Sequence, residues 1–151
     1  MTIAHCEIAD VERNEIYKDF ASINEKYKLV QDDAQVRISA HIKQNSVIIG
    51  YVSGLKQGKW FTVTDLWTHK NHRRKGVATA LLKSILDKAV DKDCTHAHVR
   101  TQGKKNEIFY ERFGFKELGR LLEFGGQPGF DSVFYQMTIN RIIIRKITEA
   151  E

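Results

Sequence analysis

The sequence predicts an α/β fold with a mixed sheet flanked by helices, and three observations carry that reading. Two stretches, Val36–Lys43 and Val47–Leu55, are strand-like and only three polar residues apart. A long amphipathic helix, about Lys75–Val90, follows a third β-rich run. A strand, a short helix and two further strands then complete the chain. Strand, helix, strand, helix and paired strands in that order define the class.

The opening segment Thr2–Ile8 is short and reads as an edge strand. From Asp10 the pattern turns helical, with Val11, Ile16, Phe20, Ile23 and Tyr27 recurring at three- to five-residue steps between charges. Asp10 is the expected N-cap, since its carboxylate can accept from the free amides of the first turn. In Val36–Lys43, Val36, Ile38, Ala40 and Ile42 alternate with Arg37, Ser39, His41 and Lys43, which is the half-buried strand period. The gap Gln44-Asn45-Ser46 makes an antiparallel hairpin with Val47–Leu55. Gly58 punctuates before Trp60–Thr68, a run rich in aromatic and β-branched residues. In the long helix, Val77, Ala78, Leu81, Leu82, Ile85, Leu86 and Ala89 form one stripe. Thr95–Thr101 is the next strand, Lys104–Phe113 a short helix, and Phe115–Glu123 and Ser132–Ile139 two more strands. The tail Asn140–Glu151 is expected to add a strand and fray at its polar end.

With 151 residues and no linker, repeat or composition break, residues 1–151 are treated as a single domain. Hydrophobic residues at 42% and charged residues at 28% exclude wholesale disorder. The net charge of +5 favours an acidic partner, such as nucleic acid, an anionic surface or a phosphate-bearing small molecule. No apolar run is long enough to span a membrane, and nothing near Met1 has the form of a signal peptide. Cys6 and Cys94 form no ligand cluster and read as reduced thiols, so a cytoplasmic location is expected.

The stretch Trp60–Leu82 carries chemistry: a strand ends near Thr68, a basic loop follows, and a helix opens at Lys75-Gly76-Val77. First-turn amides lack intrahelical partners, and the helix dipole adds positive potential there. Gly76 and Ala78 let a ligand approach the backbone, and Arg73, Arg74 and Lys75 add full charges, so the segment forms a pyrophosphate cradle. It is neither GxxxxGK[ST] nor GxGxxG, which weakens both of those nucleotide-binding readings.

Arg73-Arg74-Lys75-Gly76-Val77-Ala78 resembles the R/Q-x-x-G-x-G/A motif of the GNAT superfamily of N-acetyltransferases. Phe109-Tyr110-Glu111-Arg112-Phe113-Gly114-Phe115 is similar to that family's Tyr-x-x-x-Gly-Phe segment, at the expected distance. The resemblance covers about residues 36–139 and implies a GNAT fold: a central, twisted, mainly antiparallel sheet flanked by helices. It also implies acetyl-CoA as cosubstrate, with direct transfer of acetyl to a primary amine of a small molecule or peptide. The pantetheine arm would bond to main-chain groups of Leu66, Trp67 and Thr68. The pyrophosphate would lie on amides from Arg74 through Lys75, Gly76, Val77 and Ala78 to Thr79, clamped by Arg73 and Arg74. Tyr110 matches the general acid toward the CoA sulfur, and Asp65 the place of an acidic residue that serves as base. A β-bulge in this strand would decide where Asp65 points. Without one, Val63, Asp65 and Trp67 share a face, and apolar surroundings would raise the Asp65 pKa.

The sequence also departs from the family pattern. Gly103 and Asn106 stand where many relatives have Asn and Ala; Asn106 could reach the CoA arm or serve as an N-cap. The Phe124–Phe130 loop, with three Gly and the only Pro, is a hairpin connection that relatives fold over the acceptor. With Phe20, Tyr27, Asp32, Asp33, Phe124, Phe130 and Asp131 around it, such a pocket would suit a cationic amine. His96 and His98 share a strand face but have no third ligand at suitable spacing, so no metal is expected. Relatives form homodimers through C-terminal strands, and Arg141–Arg145 would extend such an edge. Two rival readings are a CoA-binding regulatory module without transfer, and a nucleic-acid-binding domain. The latter conflicts with aromatics that are not interleaved with Lys and Arg on one strand face, so neither nucleic acid nor membrane is expected as a partner.

Overall fold

The computed structural model describes residues 4, 6–26 and 35–147, in two units divided after Asp33. The first unit holds helix α1, Asp10–Lys26. Its start corrects the cap expected from the sequence. Ala9 occupies the cap position: its carbonyl accepts from the Arg13 amide at 3.0 Å, and its own amide donates to the Glu12 carboxylate at 2.9 Å. That is the backbone-directed half of a capping box. Asp10 lies inside the first turn and faces the Arg13 guanidinium at 3.2 Å. Within Thr2–Ile8, the described residues 4 and 6–8 are not in a strand.

The second unit runs β1 (Val36–Gln44), β2 (Val47–Gln57), β3 (Trp60–Thr68), α2 (Val77–Asp91), β4 (His96–Gln102), α3 (Lys104–Phe113), β5 (Lys116–Leu121), β6 (Ser132–Thr138) and α4 (Arg141–Lys146). The six strands form one mixed sheet in the order β1-β2-β3-β4-β6-β5. Only β3 and β4 run parallel, and α2 is the crossover that a parallel pair requires. The β1–β2 hairpin closes on Asn45-Ser46, with φ of 49° and 65°, the doubly left-handed turn that matches strand twist.

Alternation assigns one face of the sheet to the helices. Ile38, Val52, Phe61, Val63, Ala97, Val99, Val133, Tyr135 and Met137 are buried there, in one cluster with Leu81, Leu82, Ile85 and Leu86 of α2 and Tyr110 and Phe113 of α3. The opposite face carries Ser53, Thr62, His96, His98, Arg100 and Phe134 by the strand registers.

Two irregularities shape this sheet. On β3, Ser53 opposes Asp65 while Gly54 opposes Val63, so Thr64 is an extra residue, a β-bulge. On β5, Glu117 opposes Tyr135 and Gly119 opposes Phe134, leaving Leu118 as a second extra residue.

The tail departs from its sequence expectation. Residues 141–146 are helical, and the Asn140 side chain accepts from the Ile143 amide at 2.8 Å. Ile147 lies three and four residues beyond Ile144 and Ile143, the spacing of one helix face, and burial of Ile144 against the core outweighs the β-propensity of three consecutive isoleucines. The segment Arg141–Arg145 therefore offers no strand edge to a second copy.

Gly54 sits beside the β3 bulge, and a Cβ there would come within 2.3 Å of the Phe61 ring and 2.4 Å of the Thr62 carbonyl oxygen. Gly54→Ala is expected to cost about 2–3 kcal/mol through overpacking, read as a lower urea midpoint at unchanged slope.

Candidate functional site

The site begins where two strands part. β3 and β4 pair from Trp60↔His96 to Val63↔Val99 and no further. Beyond that point, β3 keeps only β2 as a neighbour and β4 keeps only β6. The facing edges of Thr64–Thr68 and Arg100–Gln102 thus bound a gap whose backbone groups can bond an inserted amide-bearing chain. At its far end the Thr68 hydroxyl is buried without a hydrogen-bond partner among the described residues.

The basic loop follows directly. The His69 amide bonds to the Ile49 carbonyl at 2.9 Å, and residues 70–72 form one 3₁₀ turn. Arg73 Nε donates to the Thr68 carbonyl at 3.2 Å, and Lys75 Nζ to the Asn71 carbonyl at 3.1 Å. These bonds fold the loop back on the strand end. Arg74 and Gly76 both take left-handed backbone, with φ of 58° and 76°. Gly76 caps α2 without a side-chain bond, and the first intrahelical bond runs from the Ala80 amide to its carbonyl. The amides of Val77, Ala78 and Thr79 therefore precede the helical ladder and are free for an anion. Gly50 on β2 permits this placement. A Cβ there would stand 2.6 Å from Val77 Cγ1 and 2.7 Å from Leu81 Cδ1.

Asp65 lies on the sheet face opposite the helices. Because a bulge turns both of its residues to one side, Thr64 and Asp65 stand together against Ser53. The Asp65 carboxylate accepts from Ser53 at 2.6 Å and Thr64 at 2.8 Å, and the two hydroxyls are 2.9 Å apart. Ser53, then Thr64, hold the carboxyl below its ordinary value against the opposing effect of burial, and the charge of Arg37 adds to the lowering. This reverses the elevated pKa expected from an unbulged strand. Ser53 was not legible as a site residue, because its pairing with Asp65 depends on a bulge that no local pattern marks.

Tyr110 sits on the helix face, 6% exposed, its ring edge-on to Phe115 at 5.5 Å and stacked on Tyr135 at 6.3 Å. Burial pushes its hydroxyl up to about 12. The Tyr-x-x-x-Gly-Phe spacing has a local cause. The Tyr110 carbonyl accepts from both Gly114, at φ 115°, and Phe115, and the two rings close the turn as a Schellman motif. Asp65 stands on one face of the sheet at the β3 lip, and Tyr110 lies on the other face within the core cluster. Asn106 is not the cap of α3: Gly103 holds that position, and Asn106 Nδ2 donates to the Gln102 carbonyl at 2.9 Å.

Residues 5–115 match the family model described as the acetyltransferase (GNAT) family. The chain belongs to the GNAT acetyltransferase family. Acetyltransferase Atu2258 of Agrobacterium fabrum is 27% identical over 122 residues, which cover 80% of this chain and 88% of that protein. An acetyltransferase from Bacillus cereus superposes with a TM-score of 0.73 at 20% identity, covering 90% of this chain and 98% of that one. An aminoglycoside 6'-N-acetyltransferase complexed with coenzyme A superposes with a TM-score of 0.63 at 14% identity, covering 70% and 74%.

Around the GNAT core, the loop between β5 and β6 corrects another expectation. Asp131 is not a receptor for a cationic amine, because internal partners occupy it. One carboxylate oxygen accepts from the Glu123 amide at 2.9 Å and the other from Arg120 at 2.9 Å. Arg120 also binds Glu117 at 2.6 Å and lies 3.6 Å from the buried Glu107. Phe130 folds over Gly125, and Phe124 lies under the Arg100 guanidinium at 4.4 Å. His96 stacks on Trp60 and His98 on Phe134, and the described residues hold no group of three or more potential metal ligands. Tyr27, Asp32 and Asp33 lie outside the described residues. No helix among the described residues is long and apolar enough to cross a membrane.

The Glu123 amide, then Arg120, hold Asp131 below its ordinary value, and Arg120 does the same for Glu117. Depressed folded values lend stability that is present above the unfolded carboxyl pKa of about 4 and lost as pH falls through them. Hydrogen-exchange protection of the Glu123 amide is therefore expected to fall on acidification below about pH 4. In Arg120→Met the same loss is expected at neutral pH.

Proposed function

We propose that this GNAT protein moves the acetyl group of acetyl-CoA directly to a primary amine of a small molecule or peptide. The observation that carries the reading is the strand gap, which runs toward the free amides of α2 and has the Asp65 carboxylate on its β3 lip. Acetyl-CoA supplies the thioester carbonyl, at which a C–N bond forms and the C–S bond breaks. Main-chain groups of Leu66, Trp67 and Thr68 would hold the pantetheine arm, and the orphaned Thr68 hydroxyl fits a site that gains a polar partner on loading. Amides from Arg74 to Thr79, with Arg73, Arg74 and Lys75, would hold the pyrophosphate. Asn106 at the start of α3 would face the same arm from the β4 side.

Asp65, ionised at neutral pH, attracts the ammonium form of the acceptor and receives or relays the proton shed on attack. Tyr110, protonated throughout the neutral range, gives its proton to the departing sulfur and recovers one from solvent. The proton lost by nitrogen and the one gained by sulfur balance; an acceptor that arrives as ammonium releases one more to solvent.

Calorimetry with acetyl-CoA tests the cosubstrate, and absence of binding at millimolar ligand would overturn it. Gly76→Glu is expected to abolish binding by placing bulk and negative charge in the cradle. Tyr110→Phe is expected to lower kcat about 10²-fold or more at unchanged acetyl-CoA affinity. With the phenol at about 12, the wild-type rate should show no alkaline decline from Tyr110 up to pH 10. Tight acetyl-CoA binding without thiol release across an amine panel would identify a regulatory module instead.

A further inference from the structure

On the face opposite the helices, Thr62 and His98 form the last cross-strand pair on the two lips before the gap opens. The next side chains on that face are Thr64 and Asp65 on the β3 lip and Arg100 on the β4 lip. They bear opposite charges, yet they make no ion pair with each other, and Arg100 has no carboxylate partner among the described residues. Arg100 is nevertheless held in place. Its Nε donates to Ser132 Oγ at 2.6 Å, and its guanidinium lies 4.4 Å from the centre of the Phe124 ring and 5.6 Å from that of Phe134. Ring faces and a single Nε bond fix the plane of the guanidinium and leave its terminal nitrogens free. A planar fork so presented matches a carboxylate in two-point fashion.

We infer that the acceptor carries a carboxylate as well as its primary amine, and that Arg100 binds the carboxylate while Asp65 faces the amine. This rests on the transfer reading above and narrows its substrate to amino acids and close kin. Two further observations agree. Arg37 and Arg100 both lie on this face, and Arg37 contributes positive potential at Asp65. A polycation such as a polyamine or aminoglycoside would bring further positive charge against both. In the β5–β6 loop, the Asp131 carboxylate is already bound by Arg120 and the Glu123 amide. Chemically, the amine nitrogen bonds to the acetyl carbon, sulfur leaves with the C–S electron pair, and the carboxylate stays ionised on Arg100.

The test is thiol release from acetyl-CoA over α-, β- and ω-amino acids, their carboxamides, polyamines and aminoglycosides. At least one amino acid should exceed its own carboxamide in kcat/KM by about 10–100-fold, the scale of a hydrogen bond to a charged group. Arg100→Gln should remove that preference by raising KM for the amino acid. It should lower the carboxamide rate far less than the amino-acid rate while acetyl-CoA still binds by calorimetry, and Arg100→Lys should restore only part of the preference. Equal use of amino acids and carboxamides, a best acceptor without a carboxylate, or an equal loss for both in Arg100→Gln would overturn the inference while transfer to amines stands. Loss of acetyl-CoA binding in Arg100→Gln would mark a structural role and also overturn it. No thiol release with any acceptor would overturn the transfer reading, and the acceptor class with it.

Discussion

The backbone seam between β3 and β4 governs the rest of this molecule. It is four residue pairs long and stops at Val63↔Val99, immediately before the bulge at Thr64. An extra residue sharpens the local twist and bends its strand, so β3 turns away from β4 where the bulge begins. The two lips that result are each stabilised on their outer side by antiparallel neighbours, β2 and β6. Each half of the sheet therefore remains paired while the edges facing the gap keep unspent hydrogen-bonding groups. The same bulge brings Thr64 and Asp65 onto one face beside Ser53, so one inserted residue both opens the gap and sets the carboxylate at its lip.

The electrostatic layout follows from that frame. At one end, the free amides of α2 and three basic side chains create positive potential against exposed backbone. On one face of the sheet, hydroxyl donors favour the charged form of Asp65; on the other, burial favours the neutral form of Tyr110. Two environments shift two acids in opposite directions, which holds Asp65 ionised and Tyr110 protonated across the neutral range. The close seating of α2 on Gly50 sets how near the amide end can approach the strands.

Much of this was legible in the sequence, for physical reasons that differ by element. The bounds of α3 agree with Lys104–Phe113 because an amphipathic period, a preceding Gly and the Gly114-Phe115 stop all coincide. The β1–β2 hairpin follows from strict alternation around a short polar turn. The basic loop was readable because local sequence alone makes a helix start with small residues and positive charge. What escaped depends on non-local partners. The bulge is a register relation between β2 and β3, and Ser53 became a neighbour of Asp65 only through it. Asp131 was read as available because Arg120 lies eleven residues away across a hairpin. The tail from Asn140 reads as an added strand in sequence, whereas a cap at Asn140 and a place for Ile144 in the core decide its conformation. At Asp10 and Asn106 the residue type was right for a cap and the position was not: Glu12 acts on Ala9, and Gly103 precedes α3.

The extra residue at Leu118 has a consequence for the outer margin of the sheet. β5 lies at one edge, with its far side unpaired by any other strand of the sheet, and exposes Leu118 and Leu121. A flat apolar edge of that kind is a template for cross-β growth. Here the bulge interrupts the even repeat of donors and acceptors, and Lys116, Glu117 and Arg120 load the six-residue strand with charge. An incoming strand would meet a broken register and would have to desolvate an ion pair to dock. The kink thus acts as a gatekeeper against aggregation.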